Sequence, residues 1–336
     1  MRFPNVHKPP FPWFGGKSRV AGLVWQRFGE VRNYVEPFAG SLAVLLNRPG
    51  APGIETVNDL DCLLANFWRA LKYDPDGVAE CADNPVNEAD QHARHLWLCH
   101  QEEFRERMKV DPDYYDAKIA GWWVWGQCIW IGSGWCSRQL PHLGTAGTGI
   151  HRKLPHLGDA GKGVHRKLPH LGDAGKGGLS IGSDLTSGTP ERAFLFEYLR
   201  DLAGRLRHVR VCCGDWRRIL GPSPTTKQGL TGVFLDPPYA DTAKRTSGLY
   251  AIDSASVAHA VRDWAVAHGD DPKMRIALCG YQGEHKMPKS WRCIPWKARG
   301  GYGSQSDGRG RDNAALERIW FSPHCLSAAA LRMRAA

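Results

Sequence analysis

Asp236-Pro237-Pro238-Tyr239 places an acceptor-only carboxylate and an aromatic face on either side of a short, stiff turn. The two prolines donate no backbone N–H and hold φ near about −65°, so the chain cannot continue as a strand there and its carbonyls stay free. A planar base with an exocyclic amine needs three partners. These are an acid for one N–H, a carbonyl for the other, and a ring to stack on. The same four residues also read as a plain strand end followed by a proline turn, so their neighbours must decide.

Four other places carry residues of comparable chemistry. Pro12-Trp13-Phe14-Gly15-Gly16-Lys17 flanks a glycine turn with a stacking face, Trp13, and a cation, Lys17. Glu36-Pro37-Phe38-Ala39-Gly40 and then Asn58-Asp59-Leu60-Asp61 follow one another, with Asp59 about 20 residues beyond the glycine turn, where an acid meets ribose hydroxyls in Rossmann-like sheets. Asp59 also suits the N-cap of a helix over Cys62–Leu71, and the two roles can coexist. Gly214-Asp215-Trp216 again pairs a carboxylate with an aromatic.

Each of these groups needs a strand to deliver it. Thr231–Leu235 is an apolar, β-branched and aromatic run that reads as a buried strand ending at Asp236. Asn33–Val35, Gly53–Val57 and Val209–Cys213 read as strands ending at the other clusters, with further strands at Arg275–Gly280 and Glu317–Ser322. Helices are expected over Val20–Phe28, Leu42–Leu46, from Pro190 to about Leu206, and near Ser254–His268. Strand, glycine turn and helix N-terminus together form the usual cradle for a nucleoside-bearing ligand. With one glycine at the turn, Glu36–Gly40 is no dinucleotide G-x-G-x-x-G.

Residues 76–135 read as mostly helical, with Ala89–Lys109 amphipathic and Asp116–Ile131 apolar almost all round. His92, His95 and Cys99 share one helix face, but no fourth ligand accompanies them, and satisfied side chains rather than a metal are expected. Pro-His-Leu-Gly recurs at 141, 155 and 169, a 14-residue period too short for a solenoid. Between Ser137 and Lys176 seven Lys or Arg face two Asp, a net of +5, which suggests a basic insertion able to lie on phosphates or a solvated expansion. Arg299–Gly310 is a glycine-rich loop suited to a lid.

The 336 residues, 42% hydrophobic, suffice for one large α/β domain and a smaller lobe. The net charge of +10 favours a polyanionic partner. Ten scattered cysteines without a C-x-x-C pair, no apolar run near the roughly 20 residues of a membrane span, and no signal peptide lead us to expect a cytoplasmic protein.

In order along the chain, W-F-G-G-K, V-E-P-F-A-G, N-D-L-D, G-D-W and D-P-P-Y resemble the motifs of the Dam-type (D12 class) DNA adenine-N6 methyltransferases of bacteria and phages, over roughly residues 10–75 and 190–322. The resemblance implies an α/β fold: a Rossmann-like sheet for S-adenosylmethionine (SAM), formed by residues 1–75 and 190–325. A mostly helical target-recognition lobe at 76–189 is inserted in it and includes the repeats at about 137–178, with a tail at 326–336. It puts Trp13 and Lys17 at the cofactor, and Glu36, Phe38 and Gly40 under its methionine portion. Asp59 then takes the ribose hydroxyls, Asp215 and Trp216 the adenine, and Asp236, Pro237, Pro238 and Tyr239 the target base, with Asp236 also facing the cofactor. The family usually carries a second glycine where Leu42 stands here.

The chemistry so implied is direct transfer, without metal or covalent intermediate, to the N6 amine of an adenine flipped out of double-stranded DNA. A monomer is expected, with or without a cognate restriction endonuclease. Cytosine N4 is the nearest alternative, although Ser more often precedes Pro-Pro-Tyr there. RNA as substrate and a DNA-binding relic without turnover are the others. The cytosine-C5 route commonly places a cysteine after proline, and no Pro-Cys dipeptide occurs.

Overall fold

The structure is a computed structural model that describes residues 8–13, 16–111, 113–130, 135–136, 190–239, 256–297 and 315–327. The 14-residue repeats, the glycine-rich loop at 299–310 and residues 328–336 lie outside the described residues.

Among the described residues the strands are β1 (Asn33–Glu36), β2 (Ile54–Asp59), β3 (Arg210–Cys213), β4 (Thr231–Leu235), β5 (Met274–Tyr281), β6 (Arg292–Pro295) and β7 (Glu317–Phe321). They form one sheet in the order β3-β2-β1-β4-β5-β7-β6. The pairs β3–β2, β2–β1, β1–β4 and β4–β5 are parallel, while β7 runs antiparallel to both β5 and β6. The fold is a Rossmann-like α/β sheet, as the motif order suggests. Every residue of β1 and β4 is buried, the continuous burial expected where helices cover both faces of a parallel sheet. Strand order reverses between β1 and β4, so a crevice opens beyond their carboxyl ends.

The helices are α1 (Ala21–Phe28), α2 (Cys62–Tyr73), α3 (Pro75–Ala82), α4 (Glu88–Cys99), α5 (Glu102–Val110), α6 (Ala117–Ile129), α7 (Pro190–Leu206) and α8 (Val257–His268). Asp61, Asp74 and Asp116 cap α2, α3 and α6, accepting from Leu63 N, Gly77 N and Ile119 N at 2.8–2.9 Å. The α6 helix is buried almost all round, as its composition suggests, and shares one core with α2, α3 and α7.

Two expectations change. The amphipathic stretch 89–109 is two helices, not one. At the break the His100 ring donates to Leu96 O at 2.7 Å and Gln101 Nε2 to Trp97 O at 2.9 Å, so side chains satisfy the carbonyls that a continued helix would use. Leu42–Leu46 is not a regular helix either. Leu42 has φ +55°, outside helical space, and a single 3₁₀ turn at Leu45–Asn47 follows.

An aromatic cluster ties the segment before α1 to α2 and α6. Phe11 meets Phe67, Trp68 and Trp123 at centroid distances of 5.5, 5.7 and 5.1 Å. Gln127 Nε2 donates to Pro12 O at 3.1 Å, which fixes the approach to Trp13 from α6. Trp68 Nε1 in turn donates to Gly40 O at 3.0 Å. Truncating one such buried ring costs about 3–5 kcal/mol, so this cluster holds two loops of the crevice firmly.

Candidate active site

A cavity of about 230 Å³ lies at the crevice. Its walls come from the ends of four strands: Glu36–Gly40 after β1, Asn58–Asp61 after β2, Gly214–Arg217 after β3, and Asp236 with Pro238 after β4. Trp13 and Lys17 close it from the N-terminal segment. Of the residues singled out in the sequence, Trp13, Lys17, Glu36, Phe38, Gly40, Asp59, Asp215, Trp216, Asp236 and Pro238 therefore share one cavity. Pro237 and Tyr239 are not part of its wall. The Tyr239 hydroxyl lies 3.4 Å from Asp236 Oδ1.

The loops are bound to one another by Asn58. Its Nδ2 donates to Pro37 O at 3.1 Å and Gly214 O at 2.9 Å, joining the ends of β1 and β3 across β2. Its Oδ1 is buried without a hydrogen-bond partner. Sequence reasoning passed over Asn58 although it lies inside the N-D-L-D stretch.

Asp59 Oδ2 accepts Gly40 N at 3.2 Å and Oδ1 accepts Asp61 N at 3.0 Å. The helix cap, one of the two roles suited to Asp59, comes from Asp61 instead. Each carboxylate oxygen of Asp59 keeps a lone pair for a further donor. Burial, only partly offset by those N–H groups, pushes its carboxyl up to about 7. Glu36 is buried more deeply at 2% exposure and accepts Tyr34 Oη at 2.9 Å. Desolvation raises its carboxyl well above the ordinary range.

Gly40 has φ +47°, and a Cβ there would lie 2.5 Å from Trp13 Nε1. The loop and the indole thus touch only because the side chain is missing. Leu42, two residues on, also takes a positive φ yet is fully buried. Its backbone conformation suits glycine, the residue usual there in the resembling family, while its side chain fills the core.

On the β3 side, Trp216 is buried and its ring lies 6.2 Å from that of Phe38 at 34°. Asp215 is exposed, caps the turn Trp216–Ile219 by accepting Arg217 N at 2.9 Å, and pairs with the Arg217 guanidinium at 3.3 Å.

At the end of β4, Lys17 Nζ lies 2.9 Å from Asp236 Oδ2. The same ammonium is 5.5 Å from the ring centroids of both Tyr239 and Trp296. Tyr239 Oη donates to Glu317 Oε2 at 2.8 Å, with Asp236 Oδ1 at 3.4 Å on its other side. Sequence reasoning passed over Glu317. The available signal was an acid at alternate spacing with the apolar Ile319 and Phe321 in the strand Glu317–Phe321.

The residues fit an adenosine-bearing ligand: an acid with spare lone pairs, two aromatic faces, an orphaned buried amide oxygen and a glycine that lets a loop come close. No group of three or more His, Cys, Asp or Glu among the described residues could hold a metal ion. His95 stacks on Trp130 at 5.1 Å and its Nδ1 accepts Cys136 N at 3.4 Å, so its polar contacts are within the protein. No helix among the described residues is long and apolar enough to cross a membrane. No curated protein matches the chain. Over residues 13–117 the chain matches the family model described as D12 class N6 adenine-specific DNA methyltransferase, the class whose motifs its sequence resembles.

Proposed function

We propose that the protein transfers the methyl group of SAM to the N6 amine of an adenine flipped out of double-stranded DNA. One observation carries this reading: a single cavity runs from the Glu36–Gly40 loop and Asp59 to Asp236 and Pro238. A nucleoside-bearing donor and an amine acceptor can thus lie side by side within it.

In this reading Asp59 receives the ribose hydroxyls on its two spare lone pairs, and Phe38 and Trp216 hold the adenine ring of the cofactor. Trp13, Gly40 and Glu36 shape the methionine end. When bound, SAM supplies a sulfonium methyl that is already activated. The rest of the chemistry is positioning, which is worth up to about 7–11 kcal/mol of barrier. An aromatic amine has its lone pair delocalised into the ring. Asp236 accepting one N–H, and the Pro237 carbonyl the other, would favour a pyramidal nitrogen and return that pair. Tyr239 offers its ring to the extruded base. The segment 76–189, mostly helical among its described residues and carrying the basic repeats in its sequence, is the part we assign to target recognition.

Purified protein, labelled SAM and mixed-sequence DNA test the reading. The wild type should label DNA. Asp236→Ala should abolish labelling while still binding S-adenosylhomocysteine and keeping its melting temperature. Label transfer by Asp236→Ala at the wild-type rate would refute the assignment of Asp236.

A further inference from the structure

Glu317, Ile319 and Phe321 point to the same face of β7, and the latter two are core residues with 0% and 1% exposure. An apolar residue at 317 would continue that face. A carboxylate there, 4% exposed, is costly, and desolvation accordingly raises its pKa. What it touches explains its presence. Glu317 pairs with Tyr281 across the antiparallel β5–β7 ladder, so the two side chains stand together. Both reach Tyr239. Glu317 Oε2 accepts its hydroxyl at 2.8 Å, and the Tyr281 ring meets the Tyr239 ring edge-on, 4.6 Å away at 74°.

We infer that Glu317 is a positioning residue for Tyr239: its carboxylate fixes the ring's hydroxyl end, Tyr281 fixes its edge, and together they set the ring against Asp236. The inference rests on the proposed methyl transfer. A ring free to rotate would leave an extruded base stacked at a variable angle. Its amine would then reach the Asp236 carboxylate in only a fraction of complexes. A hydrogen bond to a charged acceptor is strong enough to decide this, so its loss should slow the chemical step about 10- to 100-fold.

Single-turnover methyl transfer with saturating SAM separates this from a merely structural role. Glu317→Ala should lose about 10- to 100-fold in rate with S-adenosylhomocysteine affinity unchanged. Glu317→Gln keeps a carbonyl acceptor and should recover to within about threefold of wild type. Tyr239→Phe should match Glu317→Ala, and the double variant should be no slower than either single one. Should Glu317→Ala fail to fold, Glu317→Met, of similar length, takes its place.

Equal loss in Glu317→Gln and Glu317→Ala, or multiplying losses in the double variant, would overturn the inference. A readout free of turnover keeps it separate from the function itself. With 3-fluorotyrosine at position 239, the ¹⁹F resonance should move in Glu317→Ala and stay in Glu317→Gln. A wild type that transfers no methyl group would refute the proposed function, while the resonance would still decide whether Glu317 holds Tyr239. An unmoved resonance in Glu317→Ala would refute the positioning role alone.

Discussion

The pH dependence of ligand binding offers a sharp test of Asp59. Its carboxyl, held at about 7 by burial, is largely protonated at pH 6 and ionised at pH 8. Ribose hydroxyls donate to the carboxylate, so binding should favour the ionised form and lower its pKa. Affinity must then rise with pH below about 7 and level off above it. Each unit by which the ligand lowers the pKa is worth about 1.4 kcal/mol, or tenfold. A drop of about 1.5 units makes binding roughly 5- to 10-fold tighter at pH 8 than at pH 6, with about two-thirds of a proton released at the lower pH. Calorimetric titration of S-adenosylhomocysteine in buffers of different ionisation enthalpy reads both quantities. Asp59→Asn should bind more weakly and lose the slope, which separates Asp59 from Glu36 and Asp61, whose carboxyls are also raised. A flat or falling affinity in the wild type, or a slope that survives in Asp59→Asn, would refute the reasoning. The sign for stability is opposite. The folded state holds the Asp59 proton between the ordinary carboxylate pKa and about 7, so the ligand-free protein should lose stability across that range, by at most roughly 4 kcal/mol.

Three substitutions probe the frame. Gly40→Ala would drive a methyl into Trp13, which Phe11 and Trp123 hold from behind, so S-adenosylhomocysteine affinity should fall at least about tenfold for a stability loss of about 1–3 kcal/mol, read by calorimetry and denaturant melts. Leu42→Gly would relieve about 1 kcal/mol of left-handed strain but empty a fully buried site worth about 2–5 kcal/mol, so a net loss of about 1–4 kcal/mol should appear in denaturant unfolding. Glu55, 2% exposed, meets Arg48 at 3.1 Å and Arg205 at 2.7 Å. Glu55→Ala leaves both guanidinium groups without that partner and should cost about 3–5 kcal/mol, with the cavity residues themselves untouched.

The parts legible in the sequence were those where one residue type has few uses. Pro237 and Pro238 forced the end of β4 next to Asp236. Apolar β-branched runs located the inner strands, because parallel strands bury both faces. The unread parts depend on contacts across the chain. Asp59 and Asp61 both suit a cap, and only the approach of Gly40 N to Asp59 assigns the cap to Asp61. The β6 strand, largely exposed at a sheet edge and ending in Pro295, has no alternation to find. The break between α4 and α5 follows from His100 and Gln101 turning back on their own helix, where side-chain geometry rather than propensity decides. Glu317, nearly 80 residues away, holds the Tyr239 hydroxyl, and no local pattern announces that pairing.

The most direct measurement is the identity of the modified nucleoside. DNA of mixed sequence, incubated with the protein and methyl-labelled SAM and digested to nucleosides, should carry the label on N6-methyldeoxyadenosine, and none when Asp236 is alanine. Label on N4-methyldeoxycytidine, or unlabelled DNA from a protein that binds both DNA and S-adenosylhomocysteine, would contradict the account.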